Sequence, residues 1–564
     1  MPASMDPQER EPIIQSREST AYGGAKSFVD LEDGALVKGK VLRLHSHEAF
    51  ALFSQYFAIG ILYGMLPALQ YPIFNNYLHM EGYQTSAYSV LMTLGWSFKV
   101  FLGMISDCVS ICGYRRKPCI LVGWSIAATA LSIMTFTPFP QPYCNARAIS
   151  CTSVTPDINT LKASNTLQYY NFNAANEGAP FVVLSVLVGF GYVMANCAVD
   201  AMVVEYSQRE PLSVRGRTQS AIYASRYVGQ MLAQLAIAFL LNGREYGGSF
   251  DFAVSPNVMY AIGLVPCIFI VPSTLFCLVE TPTERTHFGA WVKNFWRLLQ
   301  TRVMWQVCAF KFINSAFSSF GATPGSPIAR TWAGVEPLNN AIAQVLGSLI
   351  MAGIMAGVGS YGLHWNWRWV IALGTISLTI LDATATLFTV WDIYRNQWFY
   401  TGVGLAEKIP DGIRFMVASY CAVEISDVGN EGATYGLITT LGNLASPFAA
   451  LLYKLTDSHF DVSQNDIARD DTHVRWQVTY CFLLSYAVGL VGLLWLFLLP
   501  PQKQALQAMK QNGTSSKLAG GLVISVFLVA LVLAVTSNFM SIYPSTKCYR
   551  IAGGQGTVHG VCPN

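Results

Sequence analysis

Long apolar stretches alternate with short polar segments along most of the chain, from Phe50 to about residue 539. A hydrocarbon core about 30 Å thick requires roughly 20 apolar residues per helix. Thirteen stretches have this character, some of them interrupted by a charged residue. They lie near 50–74, 86–106, 118–138, 180–204, 218–242, 258–279, 303–322, 340–363, 368–391, 411–428, 432–453, 475–499 and 518–539. The pattern predicts an all-α polytopic membrane protein with twelve helices and one further C-terminal span.

The polar segments divide this pattern into two similar parts. The first predicted regions are a disordered cytosolic tail over 1–48, a six-helix half over 49–279 and a cytosolic central loop over 280–302. A second six-helix half over 303–499 follows, and residues 500–564 form a linker, a thirteenth helix and a tail. Cys197-Ala-Val-Asp200 and Cys421-Ala-Val-Glu424 occupy matching places in the two halves. This echo supports an internal duplication, which is common among secondary transporters. The predicted architecture is therefore two related six-helix halves with an extra C-terminal helix.

Composition agrees with a chain that is surrounded mostly by lipid. Charged residues make up 12% of the sequence, about half of the roughly 25% that soluble proteins carry. The formal net charge of +3, without a basic tract interleaved with aromatic residues, gives no indication of a nucleic-acid partner. The predicted partners are the lipid bilayer, a small-molecule substrate and, as a further possibility, protons.

The distribution of Lys and Arg predicts the orientation in the membrane. With the N-terminal tail inside, the inner segments collect 20 basic residues and the outer segments 12. This excess predicts a cytosolic N-terminus. Residues 139–179, 454–474 and the C-terminal tail then face outside, where Cys144 with Cys151 and Cys548 with Cys562 are candidate disulfide pairs. The plasma membrane is the predicted location, with a vacuolar, endosomal or other organelle membrane as the alternative.

The sequence contains none of the motifs that would indicate an enzyme. It has no P-loop, HExxH, Gly-x-Ser-x-Gly or paired CxxC motif. We therefore predict no catalytic residues, no cofactor and no metal site. The missing P-loop argues against an ATP-driven pump, and no pore-filter signature indicates a channel. A secondary transporter is the class that the sequence favours.

Ionisable residues inside the predicted spans are the candidates for substrate binding or coupling, because charge within a bilayer is costly and usually faces the bundle interior. These candidates are Lys99, Asp200, Arg226, Lys311, Glu424 and Asp427. Lys99 either extends to the cytosolic surface, forms an internal ion pair or contacts substrate. Asp200 and Arg226 form either a structural pair or a coupling pair. Glu424 and Asp427 have the i, i+3 spacing of one helical face, where two carboxylates raise each other's proton affinity.

The connection between the second and third spans predicts a gating latch. Gly103 lies near the end of the second span, and Asp107, Arg115 and Arg116 lie in the connection to the third. A preference for basic residues in cytosolic loops explains the arginines. It does not explain the aspartate or the glycine, so we expect these four residues to hold helices together in one state.

Three motifs resemble the folate–biopterin transporters of the major facilitator superfamily. The first is Trp96-Ser-Phe-Lys99 with Gly103, Ser106-Asp107 and Gly113-Tyr-Arg-Arg-Lys-Pro118. The second is Asp200-Ala-Met-Val-Val-Glu205 with Arg215-Gly-Arg, Gln219-Ser220 and Arg226-Tyr-Val-Gly229. The third is Glu431-Gly-Ala-Thr-Tyr-Gly-Leu-Ile-Thr-Thr-Leu-Gly-Asn443. The resemblance covers roughly residues 50–500. The chain departs from the family pattern at Gly95, where a proline is usual, and in its thirteenth span.

The resemblance implies a major-facilitator-like fold and transport of folates or pterins by alternating access. In a folate, Arg226 and Lys311 would bind the carboxylates, and an acid such as Asp200 or Glu424 would accept hydrogen bonds from pterin N–H groups. Two alternatives stay open. One is a related facilitator for another small polar metabolite, and the other is a membrane receptor or scaffold that moves no solute.

Overall fold

A computed structural model describes residues 35–37, 39–80, 88, 91–92, 94–146, 148–149, 166–248, 250–282, 288–335, 337–427, 429–457, 459–462, 464–542, 546 and 549. Within these ranges the chain is helical and contains no β-strand, only isolated β-bridges. Helices suit apolar runs in a bilayer because every backbone polar group must be satisfied within its own segment. The predicted all-α class is confirmed.

The first predicted half contains six helices of ten or more residues in its described part. They are α1 (His47–Ala68), α2 (Lys99–Cys108), α3 (Arg116–Phe136), α4 (Ala174–Gln208), α5 (Arg217–Leu240) and α6 (Pro256–Pro272). Two of these helices end in a wider π-helical turn. The turn after α1 spans Gln70–Tyr77, and the turn after α6 spans Ser273–Cys277.

The central loop and the second predicted half follow in the same manner. Their helices are α7 (Phe288–Gln300), α8 (Arg302–Ser318), α9 (Gly325–Thr331), α10 (Pro337–Tyr361), α11 (Trp367–Val390), α12 (Gln397–Ala406), α13 (Lys408–Ile425), α14 (Glu431–Asp457), α15 (Gln464–Arg469) and α16 (Thr472–Val491). Two helices lie beyond this half: α17 (Lys503–Asn512) and the apolar α18 (Lys517–Ile542).

Seven helical segments in the described ranges are long and apolar enough to cross a membrane. They are His47–Tyr77, Arg116–Phe136, Ala174–Gln208, Pro256–Cys277, Ala341–Tyr361, Trp367–Val390 and Thr472–Leu498. Helices α5 and α8 are less apolar because they carry buried polar residues, among them Arg226 and Asn314. The chain is a multi-pass integral membrane protein.

Helices of the first half approach each other through glycines. Helix α3 packs on α4, and α1 packs on α5. A Cβ atom added to Gly123 would lie 2.6 Å from the carbonyl oxygen of Gly191, and one added to Gly191 would lie 2.7 Å from the carbonyl oxygen of Gly123. Small residues permit this approach of two helix backbones.

Two helix pairs join the halves. Helix α5 of the first half packs along α10 of the second, and α2 packs along α14. Helix α18 contacts α14, and its Phe527 ring lies 6.0 Å from the Phe101 ring of α2, measured between centroids. The additional C-terminal helix therefore lies over the seam between α2 and α14.

The contact between Gly123 and Gly191 gives a test of the packing. We expect Gly123→Ala to lower the free energy of unfolding by about 1–3 kcal/mol, the usual cost of overpacking. Gly353→Ala is the matched control, because a Cβ atom at Gly353 would meet nothing within 4 Å. The measurement is the thermal unfolding temperature of the purified protein in detergent. Equal temperatures for the two variants would contradict this packing.

Candidate functional site

A cavity of about 1430 Å³ lies between the two halves. Its walls come from α1 and α5 on one side and from α8, α10, α13 and α14 on the other. The exposed residues Tyr71, Gly247 and Leu338 line one end of the cavity, which we call the mouth. The volume exceeds the roughly 300–1,000 Å³ of ordinary small-molecule pockets. The cavity therefore has room for an elongated solute.

Basic side chains dominate the charge of the cavity. Lys99, Arg226, Lys311 and Arg414 line it, whereas Asp411 is the one carboxylate among the described lining residues. Lys99 and Arg414 already have partners, because Lys99 Nζ lies 2.5 Å from an oxygen of Asp200 and Arg414 Nη2 donates to Asp411 at 2.8 Å.

Two cations of the cavity lack an acidic partner. Neither Arg226 on α5 nor Lys311 on α8 forms an ion pair or a side-chain hydrogen bond with any residue that the structure describes, and Arg226 Nε is buried without an acceptor. Arg226 belongs to the first half and Lys311 to the second. Such groups are available to an anionic ligand, and an anion that contacts both would bridge the two halves.

Aromatic rings surround Arg226. The guanidinium carbon lies 4.3 Å from the ring centroid of Tyr63, 5.1 Å from that of Trp96 and 5.9 Å from that of Tyr227. Cation–π contacts stabilise a cation without neutralising it. The rings therefore fix the guanidinium and leave its N–H groups free to donate.

The structural alternative predicted for Asp200 and Arg226 is wrong, because Asp200 pairs with Lys99 instead. The Asp200 carboxylate also accepts hydrogen bonds from Asn196 Nδ2 at 2.7 Å, from the Tyr223 hydroxyl at 3.0 Å and from the Tyr56 hydroxyl. Both carboxylate oxygens of Asp200 therefore already accept hydrogen bonds from the protein.

Lys99 is buried and does not extend to the surface, so the internal ion pair is the alternative that the structure shows. The Lys99 ammonium group also lies 4.8 Å from the ring centroid of Tyr435 on α14. The hydroxyl of Tyr435 shares a hydrogen bond with the hydroxyl of Tyr223 on α5. The Lys99–Asp200 pair is therefore connected to both halves.

The structure brings the predicted latch residues together at the end of the molecule opposite the mouth. Fully buried Arg116 donates from Nη1 to Asp107 at 2.5 Å and from Nη2 to Glu431 at 2.9 Å and Glu205 at 3.2 Å. Arg115 Nη2 donates to Glu205 at 2.9 Å. Glu431 begins α14, so this cluster, which we call the first latch, joins the two halves.

Asp107 and Gly103 dock the first turn of α14. The Asp107 carboxylate accepts hydrogen bonds from the backbone N–H groups of Gly432 at 3.1 Å and Ala433 at 2.8 Å. An anion is favourable there because the N-terminus of a helix carries partial positive charge. A Cβ atom on Gly103 would collide with the carbonyl oxygen of Gly432. The glycine in the motif thus allows the two backbones to meet.

Sequence reasoning missed two acidic partners in this region. Glu431 was recognised only as the start of a family motif, and Glu280 was not singled out. The Glu280 carboxylate accepts hydrogen bonds from the backbone N–H groups of Arg115, Arg116 and Lys117 at 2.8–2.9 Å. The available signal was its position directly after the sixth predicted span, on the same predicted side of the membrane as Arg115 and Arg116.

Glu424 and Asp427 do not share a helical face, because α13 ends at Ile425. Glu424 accepts from Arg215 Nη1 at 2.7 Å with each carboxylate oxygen, and Asp427 lies 2.9 Å from Lys510 Nζ. Neither carboxylate lines the cavity. We call the contact of Arg215 with Glu424 the second latch, and it also joins the two halves.

Helix α17 lies across the second latch. Gln507 Nε2 donates to the Glu424 carboxylate at 2.5 Å, and Lys510 Nζ donates to the carbonyl oxygen of Ile425 at 2.9 Å. Buried Lys503 donates to the carbonyl oxygen of Arg215. Burial lowers the pKa of the Lys503 ammonium group to about 8. The C-terminal region therefore contributes directly to closing this end.

The predicted disulfide pairs fall largely outside the described residues. Cys144 is disulfide-bonded. Its predicted partner Cys151 lies outside the described ranges, as do Cys548 and Cys562. Within those ranges no group of three or more potential metal ligands occurs.

Comparisons with known proteins agree with this architecture. The BT1 family profile matches residues 60–152, which include the motif of the first latch. A folate-biopterin transporter of Synechocystis sp. is 23% identical over 430 residues, which cover 71% of this chain and 72% of that protein.

Two solved structures share the fold. A D-xylose–proton symporter has a TM-score of 0.51 at 12% identity, covering 81% of this chain and 99% of its own. The human organic anion transporter MFSD10 has a TM-score of 0.50 at 13% identity, covering 80% and 99%. The chain thus has the fold of these two membrane transporters, and the predicted major-facilitator-like fold class is confirmed. Within that class, the resemblance to the folate–biopterin transporter family is confirmed.

The first latch generates a test. We expect Asp107→Asn to weaken it, because the change removes the charge that pairs with Arg116; breaking a buried ion pair costs about 3–5 kcal/mol. The measurement is hydrogen exchange at the amides of Gly432 and Ala433, which should become faster.

Asp251→Asn is the matched control for this experiment. It alters an exposed ion pair with Arg244, far from the latch in the chain. Unchanged exchange at Gly432 and Ala433 in Asp107→Asn would show that the carboxylate does not hold α14.

Proposed function

We propose that this chain is a secondary active transporter that moves folate- or pterin-type compounds across a membrane by alternating access. The observation that carries the proposal is the cavity between the halves with two cations, Arg226 on α5 and Lys311 on α8, that have no acidic partner among the described residues. Charges in a membrane-embedded cavity are costly and usually serve a substrate or ion pathway. An anionic solute would compensate both.

The chemistry of a folate suits the lining of the cavity. A folate has a flat pterin ring and two carboxylates. The planar guanidinium of Arg226 can form a two-pronged hydrogen bond with a carboxylate, and Lys311 offers a point charge. Tyr63, Trp96 and Tyr227 provide aromatic surface next to Arg226. The name of the Synechocystis relative, a folate-biopterin transporter, supports this substrate class.

Alternating access is supported by the contrast between the two ends of the cavity. Exposed residues line the mouth, whereas the first and second latches join the halves at the opposite end. In the predicted orientation the closed end is cytosolic, so this arrangement corresponds to an outward-facing carrier. Opening of both latches, with closure of the mouth, would present the same cavity to the cytosol.

Coupling to protons is a further part of the proposal, and Asp200 is the residue we assign to it. Its carboxylate pairs with Lys99 and accepts from Tyr56 and Tyr223, and Tyr223 contacts Tyr435 of the other half. Protonation of Asp200 would free Lys99 beside the cavity. The proton state would thereby change both the charge of the cavity and the contact between halves.

Uptake of labelled folic acid and biopterin by cells that express the chain tests the substrate. We expect saturable uptake of folic acid, and a loss of roughly tenfold to a hundredfold in Arg226→Ala and Lys311→Ala. That range corresponds to the roughly 1.5–3 kcal/mol of a hydrogen bond to a charged group. Arg244→Ala, which removes an exposed cation outside the cavity, should transport normally.

Surface expression is measured in parallel for every variant. Normal expression without uptake of either compound would reject folates and pterins as substrates. Binding of folic acid without uptake would instead indicate a receptor. Undiminished uptake and affinity in Arg226→Ala and Lys311→Ala would remove these two residues from substrate binding.

A protonophore tests the coupling. Collapse of an inward proton gradient is expected to reduce the initial uptake rate several-fold in the unchanged chain. Asp200→Asn should transport more slowly, with a rate that no longer depends on the gradient, because the amide cannot carry the proton. Uptake by the unchanged chain that ignores the gradient would eliminate proton coupling.

A further inference from the structure

We propose that Asp411 recognises an N–H donor edge of the substrate, so that the cavity selects compounds that carry both carboxylates and such an edge. This inference rests on the proposed transport function and refines its substrate class. It assigns to Asp411 the part that sequence reasoning gave to Asp200 or Glu424, neither of which lines the cavity.

Asp411 is placed differently from Asp200 and Glu424. It lies in the first turn of α13, directly after the interruption that separates α12 from α13 at Glu407. The carboxylates of Asp200 and Glu424 are buried and satisfied by several protein donors. The Asp411 side chain is 52% exposed, and it lines the cavity.

One oxygen of Asp411 is free to accept from a ligand. Arg414 Nη2 donates to Oδ1 at 2.8 Å, and no hydrogen bond from a residue in the described ranges reaches Oδ2. The Arg414 side chain is only 14% exposed, so the pair presents its acidic member to the cavity. An ionised carboxylate accepts hydrogen bonds and donates none, which suits N–H groups of a ligand.

The chemistry of a 2-amino-4-oxo pyrimidine edge fits this acceptor. Such an edge places an amino group beside a ring N–H, so that two donors point in the same direction. A carboxylate can accept both, since its two oxygens together offer about four lone-pair sites. A site built to bond such donors rejects analogues that lack one of them, because a polar group is then left unpaired.

Arg226 and Lys311, which have no acidic partner within the described ranges, determine the selection for carboxylates. A neutral pterin would leave Arg226 and Lys311 without counter-charges when the cavity closes around it. Taking an unpaired charge out of water is strongly unfavourable. A pterin with carboxylates supplies those charges, so the cavity should favour folates over uncharged pterins.

Competition against uptake of labelled folic acid tests the inference. The competitors are unlabelled folic acid, its 2-desamino analogue, which lacks the amino group, and biopterin, which lacks the carboxylates. In the unchanged chain, folic acid should compete at least tenfold better than either of the others. In Asp411→Asn the advantage of folic acid over the desamino analogue should fall to near one.

Matched variants separate recognition from a structural role. Asp251→Asn, at an exposed carboxylate outside the cavity, should keep both ratios, and Asp411→Glu should restore part of the lost ratio because it keeps the carboxylate. If Asp411→Asn does not reach the cell surface, Asp411→Ser serves for the same measurement.

Two outcomes would overturn the inference. The first is an unchanged ratio of folic acid to its desamino analogue in Asp411→Asn, and if both compounds are weakened equally, the role of Asp411 is structural. The second is biopterin competing as well as folic acid. Absence of folic acid uptake by the unchanged chain would be a different result, since it would reject the proposed function itself.

Discussion

The contact between Arg116 and its three carboxylates is the interaction on which the closed end depends. One fully buried guanidinium holds Asp107 of its own half, Glu205 of α4 and Glu431 of the other half. Removing such a group from water is costly, and the cost is recovered only while all its partners are in place. The cluster is therefore stable when the halves meet, and it is destabilised when they separate because Arg116 then loses the carboxylate of Glu431. That property suits a contact that must form and break repeatedly.

The cations of the molecule divide into those that are paired with a carboxylate of the protein and those that have no acidic partner among the described residues. Paired cations, such as Lys99 with Asp200 and Arg215 with Glu424, are buried in contacts within or between the halves. Arg226 and Lys311 line the cavity and have no acidic partner in the part of the chain that the structure describes. Lys and Arg side chains thus serve two purposes, according to whether a carboxylate of the protein lies next to them.

The amino-acid sequence was sufficient to predict the all-α membrane fold, the family resemblance and the residues that assemble at the first latch. The length of an apolar run predicts a membrane span, and the Gly103–Arg116 motif lies within one short segment. Neither prediction therefore depends on contacts between distant residues. Partners across helices were not predictable. Helical periodicity places Asp200 and Arg226 on faces of their helices, but it does not say that Lys99 lies nearer to Asp200 than Arg226 does.

Helix ends caused the other errors. The paired face of Glu424 and Asp427 required a helix that continues past Ile425, and the chain leaves the helix there. Asp411 was taken as the boundary of an apolar run that began at residue 411, whereas α12 extends the helical path upstream to Gln397. Asp411, which the sequence placed at the end of a predicted span, is thus part of the cavity wall. Helix α17 lies in the segment predicted as a linker, and its contacts reach residues 83 to 288 positions away in the chain, which the sequence pattern does not reveal.

The close approach of Gly103 to Gly432 has a consequence for the evolution of such a carrier. When two side chains crowd each other, a second substitution can shrink the neighbour and restore the fit. Here the neighbour is the main chain itself, which no substitution can make smaller. A lineage that loses Gly103 cannot recover this seam by a compensating change at Gly432. The position is therefore held fixed by geometry, although it takes part in no chemistry.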